Sequence, residues 1–150
     1  MDRGNPQYLP MIDAQTTIYA LLGRPVGHSL SPALHNAAFR ACGLNGAYIA
    51  CDVGPDALGG AVEGARSLGF GGLNITSPHK EAVIKYLDVV SPEAALIRSV
   101  NTVVNKGGVL HGYSTDGAGF CRFLHQNAGA AADPAGRRVL IIGAGGAARA

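Results

Sequence analysis

The segment Ile18-Tyr19-Ala20-Leu21-Leu22-Gly23 is a continuous apolar run, which is typical of a strand buried on both faces of a sheet. A turn rich in glycine and proline follows it, and Ser31-Pro32 then predicts the start of a helix. We expect Ser31 to cap the free N–H groups of that helix and Pro32 to occupy its first position. Gly43 predicts the end of the helix. This order of strand, turn and helix predicts an α/β fold.

The rest of the chain continues the alternation of strands and helices. The predicted elements are a strand over 47–53, a helix over 56–68, a strand over 72–76, helices opening at Ser77-Pro78 and at Ser91-Pro92-Glu93, a hairpin of 100–105 with 109–112, and a helix over 117–127. Strands that alternate with helices favour a sheet whose strands are mainly parallel. We therefore predict a three-layer α/β domain with a mainly parallel sheet.

A second apolar run, Arg138-Val139-Leu140-Ile141-Ile142, predicts another buried parallel strand, and it leads directly into Gly143-Ala144-Gly145-Gly146-Ala147-Ala148. Gly143, Gly145 and Ala148 fit the pattern G-x-G-x-x-[GA] of dinucleotide-binding folds. In such folds the glycines let the backbone approach a pyrophosphate at a helix N-terminus. The alternative is a glycine-rich turn with a structural role only.

The sequence ends at Ala150, two residues after this fingerprint. A dinucleotide fold needs further βα units and a residue that reads the ribose about 20 residues on. We therefore expect an N-terminal portion of a larger protein. The predicted organisation is a disordered tail over 1–16, a first domain over 17–116, a connecting helix and linker over 117–136, and the start of a Rossmann domain over 137–150.

Composition excludes several classes of protein. Of 150 residues, 47% are hydrophobic and 15% are charged, which argues against disorder. The formal net charge is +2 without a basic run, so neither a nucleic acid nor a membrane surface is an expected partner. The N-terminus lacks the features of a signal peptide, and we expect a cytoplasmic protein. The cysteines, Cys42, Cys51 and Cys121, are expected to be buried free thiols, and the sequence predicts no metal site.

Three polar clusters follow predicted strands, where open α/β sheets bind ligands. In the first, Ser29 and Ser31 would present both hydroxyls on one side beside a helix N-terminus, an arrangement that suits an anion such as a carboxylate. The alternative is that Ser31 is only a cap and Ser29 only a turn residue. In the second, Asn74 and Thr76 share a face, and Lys80 is expected in a first helical turn, where its charge opposes the helix dipole.

The third cluster comprises Ser99-Val100-Asn101-Thr102 and Ser114-Thr115-Asp116-Gly117. Taken alone, Asp116 is best interpreted as the cap of the following helix.

Together these segments resemble the shikimate dehydrogenase family. The matching stretches, which occur in the family's order, are Gly23-Arg24-Pro25-Val26-Gly27-His28-Ser29-Leu30-Ser31-Pro32-Ala33-Leu34-His35-Asn36, Gly72-Leu73-Asn74-Ile75-Thr76-Ser77-Pro78-His79-Lys80, Val100-Asn101-Thr102, Thr115-Asp116-Gly117 and Gly143-Ala144-Gly145-Gly146-Ala147. The resemblance implies a substrate-binding domain followed by an NADP-binding Rossmann domain. It also implies reversible NADPH-dependent reduction of 3-dehydroshikimate to shikimate, in the chorismate route of aromatic amino acid biosynthesis.

The resemblance also implies a role for each matching residue. Ser29 and Ser31 would bind the substrate carboxylate, and Thr76, Asn101 and Asp116 would contact the ring hydroxyls. Lys80 would be the acid–base residue, paired with Asp116. The cofactor would be held by the glycine-rich segment, that is by Gly143, Ala144, Gly145, Gly146 and Ala147.

One residue departs from the family pattern, since Ser114 stands where asparagine is usual. The alternatives are a dehydrogenase of quinate or aminoshikimate that uses NAD or NADP, and a non-catalytic truncated ligand-binding protein. NAD in place of NADP, and a homodimer, both remain open at this stage. The 150 residues alone are expected to be inactive, because hydride transfer requires a nicotinamide held close to the reacting carbon.

Overall fold

A computed structural model describes residues 12–128, 136, 138 and 140–150 of the chain. Its centre is a six-stranded sheet in the order β2-β1-β3-β5-β6-β4. The strands are β1 (Thr17–Gly23), β2 (Gly46–Asp52), β3 (Gly72–Ile75), β4 (Val89–Val90), β5 (Thr102–Lys106) and β6 (Val109–Tyr113). β1 pairs in parallel with β2 and β3, and β4 with β6, whereas β5 is antiparallel to both β3 and β6. The prediction of a mainly parallel sheet is confirmed.

The strand predicted over residues 18–23 is confirmed as β1, and its apolar side chains are buried on both faces of the sheet. Ala20 and Leu22 belong to the larger core cluster, whereas Leu21 faces a smaller cluster that contains Tyr48. Ala20 is 0% exposed and Leu22 is 3% exposed. A continuous apolar run folds as a strand here because a neighbouring strand pairs with it on each side.

Helices cover both faces of the sheet. The α-helices are α1 (Ser31–Cys42), α2 (Leu58–Ser67), α3 (Pro92–Ile97), α4 (Asp116–Ala128) and α5 (Gly146–Arg149), and two 3-10 helices cover Pro55–Ala57 and Ala82–Tyr86. Phe39 of α1 packs against the smaller cluster, whereas α2 and α3 contribute Val62 and Ala94 to the larger one. The three-layer arrangement is therefore confirmed. Gly43, with φ +65°, ends α1 as predicted.

The helix predicted to open at Ser77-Pro78 is wrong. The backbone N–H of His79 donates to the carbonyl of Thr76 at 2.9 Å, which closes a turn, and a short 3-10 helix begins only at Ala82. The β-branched Val83 and Ile84 and the aromatic Tyr86 dominate this segment, and such residues disfavour an α-helix. Lys80 consequently lies in a turn, so the prediction that it opposes a helix dipole is wrong as well.

The second predicted buried strand, over residues 138–142, is also wrong for the residues that the structure describes. Residues 138 and 140–142 are not in a strand, and Leu140, Ile141 and Ile142 are 85%, 64% and 91% exposed. A strand needs a partner, and among the described residues the six-stranded sheet provides none for this run.

The predicted tail over 1–16 and the predicted linker are only partly covered by the described residues. Residues 1–11 and 129–135 lie outside the described residues, and with them most of the predicted tail and linker. Residues 12–16 are not loose, because Asp13 and Thr16 form a hydrogen-bonded turn that Asn45 holds. The donated bond from Asn45 contributes most to lowering the pKa of the Asp13 carboxyl.

The cysteine prediction is partly wrong. All three thiols are free, but Cys42 and Cys121 are exposed and Cys51 is half-buried. Cys42 lies in the last turn of α1, a helix that buries none of its residues fully, and Cys121 lies on the exposed part of α4. Burial raises the pKa of the Cys51 thiol.

Within the described residues, no helix is long and apolar enough to cross a membrane. Among the same residues, no group of three His, Cys, Asp or Glu side chains is placed to hold a metal ion.

Candidate active site

A cavity of about 500 Å³ lies where β1 ends, and we call it the serine cavity. It brings together Ser29 of the loop after β1, Ser31 at the start of α1 and Thr76 of the loop after β3. Its lining residues are Leu21, Arg24, Pro25, Val26, His28, Ser29, Leu30, Ser31, Thr76 and Ser77. Because β1 and β3 are parallel neighbours, their carboxyl ends meet at one edge of the sheet and deliver these hydroxyls to the same place.

The two serines do not have the local roles that the sequence suggests. The helix cap is Leu30, whose side chain makes no capping bond, and Ser31 is the first residue of α1. Ser29 accepts a hydrogen bond from the backbone N–H of Ser31 at 3.2 Å. The prediction that Ser31 is the cap is therefore wrong, because the chain already turns into the helix at Leu30, and Ser29 serves the exposed N–H instead.

Lys80 and Asp116 meet although 36 positions separate them in the sequence. The Lys80 Nζ lies 2.5 Å from the Asp116 Oδ2, and the two side chains are 20% and 32% exposed. The carbonyl of Lys80 accepts a hydrogen bond from the backbone N–H of Val100 at 2.8 Å, which ties the lysine turn to the segment before β5. A partly buried ion pair held in this way restricts the positions available to the ammonium group.

Asp116 does not cap α4, because its carboxylate is directed elsewhere. It is the first residue of the helix, and one carboxylate oxygen accepts the bond from Lys80 while the other accepts a bond from the Asn101 Nδ2 at 2.6 Å. Asn101 is fixed in turn by Thr115, whose backbone N–H donates to the Asn101 Oδ1 at 3.0 Å. The three predicted residues Lys80, Asn101 and Asp116 thus form one hydrogen-bonded cluster.

The glycine-rich segment lies beside this cluster. A second cavity, of about 630 Å³, is lined by Thr76, Ser77, Pro78, Lys80, Glu81, Ala144, Gly145, Gly146, Ala147 and Arg149. Thr76 and Ser77 line both cavities. Arg149 donates to the Glu81 Oε2 at 2.9 Å, so the segment is tied to the residue that follows Lys80.

The glycines of this segment fit a group that needs close backbone approach. Gly143 has φ +120°, a conformation that favours glycine, and the space in which a Cβ of Gly145 would lie is open. Gly146 has a different constraint, because a Cβ there would lie 2.9 Å from the Ser99 Oγ and 3.5 Å from the Lys80 Cδ. The first two positions leave room for a pyrophosphate, and Gly146 brings the segment against Lys80.

Several residues of the site make contacts that the sequence did not predict. Arg24 and His28 line the serine cavity, Thr115 holds Asn101, and Asn74 donates to the backbone carbonyl of Asn101 at 3.3 Å. All four lie within the polar segments quoted for the family resemblance. The sequence therefore indicated the segments but not the contacts that these residues make. Ser114, the departure from the family pattern, has a buried hydroxyl without a hydrogen-bond partner among the described residues.

His79 stands next to Lys80 but serves the fold. It is 1% exposed, and its Nε2 lies 2.7 Å from the carbonyl oxygen of Val53. A ring that is buried and satisfied by the backbone is not available to a substrate.

Comparisons with known proteins show the family of the chain. Residues 21–103 match the family model of the shikimate dehydrogenase substrate binding domain. The chain is 57% identical over 139 residues to a shikimate dehydrogenase (NADP(+)) of Moorella thermoacetica, covering 93% of this chain and 46% of that protein. The chain thus spans about half the length of the curated relatives it matches.

Solved structures give the same result. The shikimate 5-dehydrogenase of Thermus thermophilus in complex with shikimate is 44% identical with a TM-score of 0.82, and the match covers 89% of this chain and 49% of that chain. A 5-ketofructose reductase of a Gluconobacter strain, in ligand-free form, is 38% identical with a TM-score of 0.80, and the match covers 91% of this chain and 48% of that chain. With a family model that matches more than half of its length and with these identities, the chain belongs to the shikimate dehydrogenase family.

Proposed function

We propose that the complete protein containing this chain catalyses the reversible NADPH-dependent reduction of 3-dehydroshikimate to shikimate. The observation that carries the proposal is the position of Lys80. Its ammonium group is paired with Asp116, and the residue lines the same cavity as Gly145 and Gly146. A proton donor beside a dinucleotide-binding segment is what reduction of a carbonyl requires.

Lys80 would supply the proton in this reaction. The glycine-rich segment would hold NADPH, which would supply the hydride for the carbonyl carbon, and negative charge would then grow on the carbonyl oxygen. The Lys80 ammonium would stabilise that charge and then transfer a proton to the oxygen, in the usual manner of a general acid. Asp116 would hold the ammonium in place, and the same two residues would act in reverse during oxidation of the alcohol.

The remaining residues would bind and orient the substrate. Ser29 and Ser31 would hold the carboxylate in the serine cavity. Arg24 also lines this cavity, and its Nε is ion-paired with the Asp52 Oδ1 at 3.4 Å. Thr76 lies between the two cavities, a position suited to a ring hydroxyl. Asn101 and Asp116 would bind the hydroxyls nearest to Lys80.

We infer the same division of the chain as the sequence suggests. Residues 17–116 would form the substrate-binding part and residues 137–150 the beginning of the NADP-binding part, and residues 117–136 would connect them. NADP is the proposed cofactor, in line with the name of the Moorella thermoacetica relative.

A second candidate is reduction of a neutral keto sugar, which the similarity to a 5-ketofructose reductase favours. The two candidates differ in the substrate's charge, since ketofructose has no carboxylate. The two serine hydroxyls, which lie together in the serine cavity beside the start of α1, favour the anionic substrate.

The test is the kinetics of the complete protein with the variant Lys80→Ala. We expect kcat for shikimate oxidation with NADP⁺ to fall by about 100-fold or more, the usual contribution of an acid–base residue, with a much smaller change in KM. Lys85→Ala is the matched control, because Lys85 is exposed and its ammonium lies over the ring of Tyr86, outside both cavities. This control should retain the activity of the unmodified protein.

Shikimate, quinate and 5-ketofructose should be compared as substrates, each with NADP and NAD. The highest kcat/KM is expected for shikimate with NADP. An unchanged kcat in Lys80→Ala would remove Lys80 from its role, and a preference for the neutral sugar would overturn the proposed substrate.

A further inference from the structure

A row of side-chain hydrogen bonds crosses the sheet from α1 to the Lys80–Asp116 pair. We propose that Thr102, which the mechanism above does not use, is a positioning residue that sets the orientation of the Asn101 amide and through it the place of Asp116. The assignment of this effect to catalysis rests on the function proposed above. The row itself runs through Tyr48, Asn74, Thr102 and Asn101.

The row begins at α1, where the His35-Asn36 motif holds Tyr48. The Asn36 side chain donates to the Tyr48 carbonyl at 2.8 Å and accepts from the Tyr48 N–H at 2.9 Å. The rings of His35 and Tyr48 are stacked, with centroids 4.2 Å apart. Tyr48 is therefore held both through its backbone and through its ring.

Tyr48 then determines the orientation of Asn74. Its hydroxyl donates to the Asn74 Oδ1 at 2.7 Å. Burial raises the pKa of Tyr48 to about 12, so the phenol keeps the proton that it donates. With its oxygen engaged, Asn74 directs its Nδ2 towards β5, where it donates to the Thr102 Oγ1 at 3.5 Å and to the Asn101 carbonyl at 3.3 Å.

Thr102 lies directly opposite Asn74 in the antiparallel pairing of β3 and β5. A hydroxyl has a single proton. Because the Thr102 Oγ1 accepts from Asn74, its proton is free to be donated, and it goes to the Asn101 Oδ1 at 3.0 Å. Thr102 thus shares this oxygen with Thr115, which donates to it through its backbone N–H at 3.0 Å and through its hydroxyl at 3.2 Å.

The orientation of the Asn101 amide matters because of what lies on its other side. With the oxygen held by these donors, the Nδ2 donates one proton to the Thr115 Oγ1 at 2.9 Å and the other to the Asp116 Oδ1 at 2.6 Å. A flipped amide would place its oxygen against the carboxylate and lose this bond. Thr102 therefore acts on the Lys80–Asp116 pair through Asn101, without a contact to the reacting atoms.

The experiment compares Thr102→Val with Thr102→Ser in the complete protein. Valine keeps the shape of the side chain and removes the hydroxyl, and we expect kcat/KM for shikimate to fall by about tenfold, the effect of one neutral hydrogen bond. The KM for NADP⁺ should not change. Serine keeps the hydroxyl and should restore kcat/KM to within about twofold of the original value, a smaller change than loss of that bond.

A matched control is Thr17→Val on β1, where the threonine makes no side-chain hydrogen bond among the described residues. A second readout does not depend on activity. The side-chain amide signals of Asn101 in a ¹⁵N–¹H NMR spectrum should be a single, slowly exchanging pair in the original protein and in Thr102→Ser. In Thr102→Val they should broaden or double.

The outcomes separate this proposal from the proposed function. If the original protein does not oxidise shikimate, the proposed function fails, and the NMR comparison still decides the role of Thr102. Asn101 signals that are identical in Thr102→Val and the original protein would overturn the positioning role. Activity lost equally in Thr102→Val and Thr102→Ser would overturn it too, because the hydroxyl would then not be the group that matters.

Discussion

Two apolar runs in this chain look alike in the sequence and fold differently. Each is a mainly aliphatic run followed by a glycine, the first by Gly23 and the second by Gly143. The first is the strand β1, with Ala20 0% exposed. In the second, Leu140 and Ile142 are 85% and 91% exposed and lie in no strand.

The difference between the two runs is the presence of neighbours. β1 is paired along its length with β2 and over four residues with β3, and helices cover both of its faces. Residues 140–142 have no such partner among the described residues. The comparison teaches that an apolar run specifies a strand only in combination with the strands beside it, because backbone groups and side chains are satisfied across the pairing.

The largest expected effect is on the stability of this 150-residue chain when each run is truncated. Leu22→Ala should lower the free energy of unfolding by about 2–5 kcal/mol, because it removes a buried side chain from the larger core cluster. Ile142→Ala should change it by no more than about 0.5 kcal/mol, as expected for an exposed position. Urea denaturation followed by circular dichroism measures both. Similar losses of unfolding free energy in the two variants would contradict the difference between the runs, since Ile142 would then be buried in solution.

The glycines that end the two runs should differ as well, by a smaller amount. A Cβ at Gly23 would overlap the Thr76 Cγ2 and lie 2.9 Å from the Val26 Cγ1, so Gly23→Ala should cost about 1–3 kcal/mol of unfolding free energy through overpacking. At Gly143 nothing lies within 4 Å of a Cβ, and the constraint is φ +120°. Gly143→Ala should therefore move the amide signals of 144–147 in an NMR spectrum and leave the urea midpoint unchanged. A shifted midpoint would contradict the prediction.

The smallest expected effect depends on pH and concerns the ion pair of Glu81 with Arg149, which ties the helix after the second run to the rest of the domain. The hydrogen bond from Arg149, with the charge of Arg98, lowers the pKa of the Glu81 carboxyl. A lowered pKa means that the contact is fully present above the ordinary carboxyl pKa of about 4.3 and is lost as the pH falls through the lowered value. Acid should therefore release residues 146–149 from Glu81 while the sheet stays folded. The amide chemical shifts of Ala147 and Ala148, followed by NMR as the pH is lowered, measure this release. Glu81→Gln should abolish this transition, and an unchanged transition would assign it to another group.

Much of the fold follows from local patterns. Neighbouring residues alone predict the apolar run of β1, the glycine after α1 and the Ser91 cap of α3. The Ser91 hydroxyl accepts a hydrogen bond from the Ala94 N–H at 3.2 Å. The two-residue strand β4 is not readable, because Val89 and Val90 are in a strand only through their pairing with β6. Local propensity has no information about that partner.

The candidate site divides in the same way. The residue types and their motifs identify Ser29, Lys80 and Asp116, but the 2.5 Å contact between Lys80 and Asp116 depends on how α4 follows β6. Asp116 is a good cap in isolation, and a lysine and an asparagine from distant segments attract its carboxylate instead. Sequence patterns identify the functional side chains, and tertiary packing determines which of these side chains contact one another.

The contact between Asn36 and Tyr48 also has a consequence for the free edge of the sheet. β2 is the outermost strand of the sheet, and such a strand offers unpaired N–H and C=O groups to any other chain. The Asn36 amide donates to one of these groups of Tyr48 and accepts from the other, as an adjoining strand would. A foreign strand that approached this edge would find the N–H and C=O groups of Tyr48 already bonded, so we expect one asparagine on a helix to disfavour the addition of a strand at this position.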